Sequence, residues 1–151
     1  MMLASKSCIA FIKAFESCRL DKHWDSIGQV WDCGWGHVLQ PADPEPPWTQ
    51  AQADTIFEND LERFENAVRN TIKVDLRQHE FDALVSLSYN IGSEAFAKSS
   101  MPNLINEEKF TEAACHFMRF GLSKGKWIAG LLRRRAGEQA IFLLADYSRV
   151  P

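Results

Sequence analysis

One apolar stripe constrains the fold more than any other feature of this 151-residue chain. Between residues 50 and 72 the apolar side chains recur at helical spacing, and they are Ala53, Phe57, Leu61, Phe64, Val68 and Ile72. Thr49 followed by Gln52 forms a capping-box sequence, which is typical of a helix N-terminus. At a rise of about 1.5 Å per residue, such a helix is about 33 Å long, the width of a small domain. We therefore predict that residues 50–72 form a helix that links two lobes of a single domain, residues 1–151.

The residues before this helix predict a small sheet. A first short helix, capped by Ser5 or Ser7, is expected to end at Glu16. Residues 24–39 then hold three glycines among aromatic and β-branched side chains, a composition typical of short strands joined by tight turns. Residues 41–48 are rich in proline, which favours a loop.

Apolar side chains continue at helical spacing after the long helix. The predicted helices end near Gly92, near Gly121 and at Leu144. The expected fold class is therefore α+β, with a small N-terminal hairpin-sheet lobe at residues 1–50 and a larger all-helical C-terminal lobe at residues 73–151. A cleft between two such lobes is the expected place for a ligand.

Composition excludes several classes of protein. No apolar run approaches the roughly 20 residues that span a bilayer, and Lys13 interrupts the apolar N-terminus where a signal peptide needs a continuous core. We therefore expect a chain made in a cytoplasm, without a membrane anchor. The four cysteines show no close CxxC pairing, so we expect free thiols and neither a metal nor a cofactor. The net charge of −3 disfavours nucleic acid as a partner.

A basic cluster lies near the C-terminus of this acidic chain. No acid occurs between Glu112 and Glu138, where the basic residues are Arg119, Lys124, Lys126, Arg133, Arg134 and Arg135. They predict either a solvated helix face or a surface for a carboxylate-rich polymer. Consecutive residues on a helix point about 100° apart. At least one of the three consecutive arginines is therefore expected to face the lobe interface and pair with an acid.

Glu16 and Asp25 form a candidate pair for glycoside hydrolysis. That reaction needs a proton donor on the leaving oxygen and a second carboxyl group that activates water or attacks the sugar. A glutamate at a helix end in an apolar wall suits the first role, because burial disfavours the charged form of a carboxyl group. Glu16 follows Phe15 at such an end, and Asp25 comes where strands are predicted. Many acid pairs in any protein meet this description, so spacing alone does not establish the function.

The sequence around these acids resembles the opening motif of the phage-type lysozymes, or endolysins. In that family a glutamate at the end of the first helix is followed by Arg-Leu, Asp-Ser-x-Gly and Gly-Tyr-Gly-His. The corresponding residues of this chain are Glu16, Arg19, Leu20, Asp25, Ser26, Gly28, Gly34, Trp35, Gly36 and His37. Similar agreement returns in HEFDALVSLSYNIGSEAF and in WIAGLLRRRAGEQAIFL, so the resemblance covers nearly the whole chain in order.

The resemblance implies a lysozyme-like fold and an endo-acting muramidase. Such an enzyme hydrolyses the bond from N-acetylmuramic acid to N-acetylglucosamine in the glycan strands of peptidoglycan. By motif position Glu16 is the general acid, and Asp25 is the carboxylate that holds the attacking water together with a threonine. The resemblance further implies a monomer that is made in the host bacterial cytoplasm and reaches the periplasmic wall after another factor releases it.

The threonine is where this sequence departs from the family pattern. The stretch from Asp25 to His37 is one residue longer, so we place an insertion in the hairpin turn. Counting back from the glycine-rich anchor that ends at His37 then puts Asp32 at the threonine position. Three roles are open for Asp32: a base that activates water, a nucleophile within about 5.5 Å of Glu16, or the mark of a degenerate site. Because strand side chains alternate, Cys33 is expected on the opposite face.

Three further residues are predicted near the substrate. Trp35 either stacks on a sugar ring or only covers the sheet. His37 is more typical of a structural hydrogen-bonding residue near the cleft than of a catalyst. Arg134 is the candidate for binding substrate carboxylates or for pairing with an acid at the lobe interface. Two alternatives to the endolysin stay open: a catalytically degenerate module that binds glycan or protein, and a lytic effector with a different delivery route.

Overall fold

The computed structural model describes residues 1–26 and 28–151. Within them the helices are α1 (Lys6–Phe15), α2 (Gln50–Thr71), α3 (Gln78–Ile91), α4 (Ser93–Lys98), α5 (Met101–Asn106), α6 (Phe110–His116) and α7 (Ala129–Leu144). The strands are β1 (Arg19–Asp25), β2 (Val30–Gly34), β3 (His37–Val38), β4 (Leu122–Ser123) and β5 (Lys126–Trp127). A 3-10 helical segment, Phe117–Gly121, continues α6. This order, with a sheet early and helices over most of the rest, confirms the predicted α+β class.

Strands β1, β2 and β3 form one antiparallel sheet in that order. His23 pairs with Asp32 and Trp24 pairs with Trp31, so the two pairs lie on opposite faces of the hairpin. Cys33 is fully buried, whereas the Asp32 side chain is 22% exposed. The prediction that these two neighbours point to opposite faces is therefore confirmed. The predicted insertion falls in the turn between β1 and β2, which includes residue 27 and so lies partly outside the described residues.

The long predicted helix is present as α2. The Thr49 side chain accepts a hydrogen bond from the backbone N–H of Gln52, and the Gln52 side chain accepts one from the backbone N–H of Thr49. The predicted apolar stripe is buried along the helix, at Ala53, Phe57, Leu61, Phe64 and Val68. The helix ends one residue before Ile72 and contributes its apolar face to the core along its whole length.

The first helix packs differently from the predicted division, which places residues 1–50 in the sheet lobe. Cys8, Phe11 and Ile12 of α1 are buried with residues of α2 to α7 in the main core. The apolar face of a helix needs a broad complementary surface, and the other helices provide it. The sheet lobe therefore begins after Glu16 rather than at residue 1.

The two terminal segments meet at Asp82, a fully buried residue of α3. Its carboxylate accepts hydrogen bonds from the hydroxyls of Ser5, which caps α1, and Tyr147, which follows α7 (2.5 and 2.7 Å). The side-chain amide of Gln78 donates a third hydrogen bond (2.8 Å). These donors offset the cost of burying a charge. Both ends of the described chain are thus held to the same central helix.

A second, smaller core joins the sheet to α2. It consists of the buried residues Cys33, Trp48 and Ala53. Trp48 follows the proline-rich loop, and its backbone N–H donates to the carbonyl of Leu20 in β1 (2.7 Å). Its indole N–H donates to the carbonyl of Pro44 within the loop (2.8 Å). These bonds fix the loop against the sheet.

The helical lobe contains elements that the sequence pattern does not predict. Helices α4 and α5 are six residues long, too short for an apolar spacing to stand out. Strands β4 and β5 form a hairpin whose turn residues, Lys124 and Gly125, both have positive φ (49° and 75°), the conformation of a tight two-residue turn. Helix α7 begins at Ala129, slightly before the predicted start at Leu131.

Candidate active site

Glu16 is the residue that ends α1. Its backbone N–H donates to the carbonyl of Ile12 (3.1 Å), whereas its own φ and ψ (−94° and 147°) are extended. The chain therefore turns away from the helix at this residue. The Glu16 side chain is 24% exposed, and the preceding Phe15 is half-buried. The predicted position of Glu16 at a helix end is confirmed.

Arg134 of α7 holds the Glu16 carboxylate. Its Nη1 donates to Oε1 of Glu16 (2.5 Å), and its Nε donates to Oε1 of Glu138 (3.2 Å). The Arg134 side chain is 4% exposed, so solvent ions screen these pairs weakly. Within the described part of the chain, Oε1 is the Glu16 oxygen that the protein engages. Among the described residues, none donates a hydrogen bond to the other oxygen, Oε2.

Glu138 is the centre of a buried charge cluster behind Arg134. Its carboxylate lies 2.8 Å from Nε of Arg135 and accepts a hydrogen bond from Ser86 of α3 (2.7 Å). Arg135 and Glu138 are fully buried, and burial lowers the pKa of Arg135. The prediction that at least one of the consecutive arginines pairs with an acid is confirmed, because both Arg134 and Arg135 do so. The same burial corrects the predicted basic surface, because Arg134 and Arg135 are not exposed to a polyanion.

A groove of about 340 Å³ opens beside Glu16. The end of α1, the end of α3 and the start of α7 form its walls, and the lining residues include Phe15, Asn90, Leu131 and Arg133. Arg133, unlike the two arginines after it, is exposed. The groove therefore combines one engaged carboxylate with one cation open to solvent.

The hairpin carries two carboxylates on one face. Asp25 pairs with Val30 in the sheet register, and His23 pairs with Asp32. Since strand side chains alternate, Asp25 and Asp32 lie on the same face, opposite to the one that packs into the smaller core. Asp25 accepts a hydrogen bond from the backbone N–H of Gly28 (3.1 Å). Asp32 lies 3.5 Å from Nδ1 of His23.

Trp35 lies where the sheet meets the helices. Its indole N–H donates to Asp54 of α2 (2.8 Å), and its backbone carbonyl accepts a hydrogen bond from the hydroxyl of Tyr89 of α3 (2.6 Å). Lys13 also binds Asp54 (2.7 Å), with its Nζ 4.9 Å from the centroid of the Trp35 ring. Hydrogen bonds from Lys13 and Trp35 lower the pKa of Asp54. Of the two predicted roles of Trp35, these contacts favour covering the sheet.

His37 is bound at both ring nitrogens. Nδ1 lies 2.6 Å from Asp60 of α2, and Nε2 lies 2.8 Å from Asp43 of the proline-rich loop. The hydrogen bond to Asp60 is the main cause of a raised His37 pKa; burial opposes the rise and Asp43 adds to it. The side chain is 14% exposed. This geometry favours the structural interpretation, in which His37 ties the loop to α2.

Sequence reasoning missed the residues that hold these side chains in place. It assigns no role to Ser86, Tyr89 or Glu138. A signal for Glu138 exists, because it follows Arg134 by four residues, the spacing of a helical ion pair. No comparable signal exists for Tyr89, whose partner is a backbone carbonyl 54 residues away in the sequence.

The four cysteines are free, as predicted. Over residues 1–26 and 28–151, no group of three or more histidine, cysteine or acidic side chains is arranged to hold a metal ion. None of the helices in that part of the chain combines the length and the apolar character that crossing a bilayer requires.

The small sheet and the helical lobe, with a carboxylate at the end of the first helix, form a lysozyme-like fold. The muramidase domain of SpmX from Asticaccaulis excentricus matches it with a TM-score of 0.84 and 33% sequence identity. The match covers 95% of this chain and 99% of that domain. The fold implied by the sequence motifs is therefore confirmed.

The chain belongs to the phage lysozyme family, whose model matches residues 13–138. The endolysin of Bacillus phage PZA is 37% identical over 143 residues, which are 93% of this chain and 55% of that protein. The endolysin of Salmonella phage P22 is 33% identical over 147 residues, which are 95% of this chain and 99% of that protein. This chain thus spans little more than half the length of some relatives and nearly the full length of others.

Proposed function

We propose that the protein is an endolysin-type muramidase that hydrolyses the β-1,4 bond between N-acetylmuramic acid and N-acetylglucosamine in bacterial peptidoglycan. The observation that carries the proposal is the Glu16 carboxylate, held through one oxygen by Arg134 beside an open groove. Relatives named endolysin or muramidase support the same activity. No cofactor enters the proposed reaction, because two carboxyl groups suffice for glycoside hydrolysis.

Glu16 is the proposed general acid. As the bond between the anomeric carbon and the glycosidic oxygen breaks, Glu16 gives its proton to that leaving oxygen. Arg134 fixes the carboxyl group by one oxygen, so the other oxygen is presented in a defined orientation. A water molecule attacks the anomeric carbon from the opposite side and gives its proton to a carboxylate of the hairpin.

Asp32 is the proposed base that activates this water, with Asp25 on the same face of the sheet to help hold it. Strand β1 begins three residues after Glu16, so the hairpin starts next to the proposed acid. His23 lies 3.5 Å from Asp32 and orients its carboxylate. A base that acts through water requires about 6.5–9.5 Å between the two carboxyl groups and inverts the configuration of the sugar.

The other predicted substrate contacts take different roles in this proposal. Arg134 acts on the substrate through Glu16, because its guanidinium is buried and already paired. The exposed Arg133 provides the cation for carboxylates on the peptide stems of the polymer. Trp35 and His37 hold the sheet lobe to α2, so in this proposal they position the hairpin rather than contact the sugar.

The proposed setting is that of an endolysin. The chain is made in the cytoplasm of a bacterial host, is released by a separate factor and acts as a monomer on periplasmic peptidoglycan. Size-exclusion chromatography with light scattering tests the monomer, and a larger species at micromolar concentration would contradict it.

The test of the activity is Glu16→Gln, which keeps the size of the side chain and removes its proton. We expect clearing of purified peptidoglycan to fall by about 10²–10⁴-fold, with an unchanged circular dichroism spectrum. Glu94→Gln is the matched control, because Glu94 is exposed and pairs with Lys98 on the surface. Full activity of Glu16→Gln would remove Glu16 from the mechanism. Wild-type protein that binds the polymer and releases no product would instead indicate a degenerate module.

A further inference from the structure

A second depression lies along the hairpin, and two of the side chains that line it, Trp24 and Trp31, are on the face opposite to the proposed catalytic carboxylates. Val30 and Val38, the strand partners of Asp25 and Asp32, line it from the other face. It has a volume of about 400 Å³ and is bounded by the hairpin on one side and the proline-rich loop on the other. We call it the outer groove, and the residues that define it are Lys22, Trp24, Trp31, Val38, Gln40 and Glu45. The proposed catalytic mechanism uses none of them.

Two tryptophans form an aromatic platform in the outer groove. Trp24 and Trp31 are cross-strand partners, with ring centroids 5.3 Å apart and ring planes at 61°. They are 46% and 47% exposed, although tryptophan is highly buried on average. Neither indole N–H has a hydrogen-bond partner among residues 1–26 and 28–151. A pyranose ring fits such a platform, because it stacks an apolar face on an aromatic ring and offers hydroxyls to the N–H groups.

The charges of the outer groove favour a sugar over an anionic surface. Lys22 is the one cation among the described lining residues, with its Nζ 5.5 Å from the centroid of Trp31. Asp43 and Glu45 line the opposite wall, and their carboxylates repel nucleic acid and anionic lipid headgroups. The same carboxylates and the Gln40 side-chain carbonyl are acceptors of the kind that suits sugar hydroxyls and N-acetyl N–H groups.

The loop wall of the outer groove is fixed by contacts within the protein. Asp43 binds His37 (2.8 Å) and accepts a hydrogen bond from the backbone N–H of Gln40 (2.6 Å). Trp48 binds the carbonyl of Pro44 further along the loop (2.8 Å). A ligand therefore meets a wall that is already ordered, which reduces the entropy lost on binding.

We propose that the outer groove binds a second N-acetylhexosamine glycan strand, separate from the strand that is cut. The face that carries Trp24 and Trp31 then holds a second strand of the same polymer. This arrangement keeps the enzyme on an insoluble substrate between cuts, because a tethered second site raises the effective concentration of the first. The identity of the polymer as peptidoglycan rests on the proposed function, whereas the affinity of the groove for glycan does not.

The binding test combines Trp24→Ala and Trp31→Ala in a Glu16→Gln background, so that the polymer stays intact. We expect co-sedimentation with purified peptidoglycan sacculi to weaken by roughly tenfold, because exposed tryptophans carry much of the binding at such sites. Trp127→Ala is the matched control, since Trp127 is 58% exposed and lies outside the outer groove. The pair Trp24→Phe and Trp31→Phe keeps both ring faces and should retain most of the binding.

The catalytic test uses the same alanine variants with Glu16 intact. They should cut short soluble glycan fragments at the wild-type rate and clear sacculi more slowly, because only the insoluble polymer reaches both grooves. Undiminished binding to sacculi, or an equal loss of rate on soluble fragments, would overturn the proposal.

Two other occupants are tested separately. Vesicles containing phosphatidylglycerol test a membrane surface, and analytical ultracentrifugation tests a second copy of the chain. If the tryptophan substitutions abolish either of these associations and leave binding to sacculi intact, the glycan site is overturned. If the wild type cuts nothing but still binds sacculi through the two tryptophans, the proposed activity fails and the outer groove stands.

Discussion

Replacing Glu138 by glutamine removes the central charge behind the proposed active site and keeps the shape of the side chain. In the wild type, the guanidinium groups of Arg134 and Arg135 share the carboxylates of Glu138 and Glu16. Glutamine leaves a single carboxylate, that of Glu16, which is 24% exposed. One buried guanidinium is then left without a counter-charge.

Breaking a buried ion pair from one side costs about 3–5 kcal/mol of unfolding free energy. At this chain length each kcal/mol lowers Tm by about 2–4 °C, so we expect Tm to fall by about 6–20 °C. The control Glu94→Gln makes the same chemical change in an exposed pair and should cost less than about 0.5 kcal/mol. Thermal unfolding followed by circular dichroism, with urea denaturation alongside it, measures both variants.

Arg135→Met in the Glu138→Gln background provides the second arm of this experiment. It removes the unpaired charge and should recover most of the lost stability, because apolar replacement of a buried ion pair is often neutral. A Glu138→Gln variant as stable as Glu94→Gln would refute the argument that charge holds this cluster together. A double variant no more stable than the single one would refute it as well.

Three further predictions concern the sheet lobe. Raising the pH from about 6 to about 9 should reduce the unfolding free energy of the wild type more than that of His37→Asn. The pKa of His37 is raised in the folded protein, so protonated His37 stabilises the fold fully below the ordinary histidine pKa, and this stabilisation is lost as the pH rises through the folded pKa. Equal pH slopes in urea titrations would contradict this. Asp32→Ala should reduce the clearing of peptidoglycan by at least about 10²-fold, and Asp21→Ala, at an exposed position, is the control. NMR of the fresh wild-type product should show an inverted anomeric configuration. A product with retained configuration would indicate that Asp32 is a nucleophile. Tyr89→Phe should lower the unfolding free energy by about 1 kcal/mol through loss of its hydrogen bond to Trp35; an unchanged urea midpoint would show that the hydroxyl does not tie α3 to the sheet.

The features that the sequence predicts well are those set by local signals. Helix α2 has a capping box at Thr49 and an apolar stripe, and it forms almost over the predicted residues. Glu16 ends its helix as predicted. Asp32 and Cys33 alternate across the sheet because a strand has a period of two residues. Each of these signals needs only neighbours within a few positions.

The features that it does not predict depend on partners far apart in the sequence. The indole of Trp35 is held by Asp54, and its carbonyl is held by Tyr89, at separations of 19 and 54 residues. Arg134 binds Glu16 across 118 residues, so a run of basic residues that resembles a surface is partly interior. Such pairs are set by tertiary packing, which spacing along the chain does not encode.

On the ribosome, Ser5 leaves the exit tunnel long before Tyr147, with which it shares the Asp82 carboxylate. The hairpin sheet and the start of α2 find their partners among near neighbours and can assemble early in synthesis. Helix α1 has to wait for α3 and for the segment after α7. The apolar side chains of Phe11 and Ile12 therefore lack their buried neighbours until the later helices have emerged, and the main core, which includes Ile141 and Phe142 of α7, closes last.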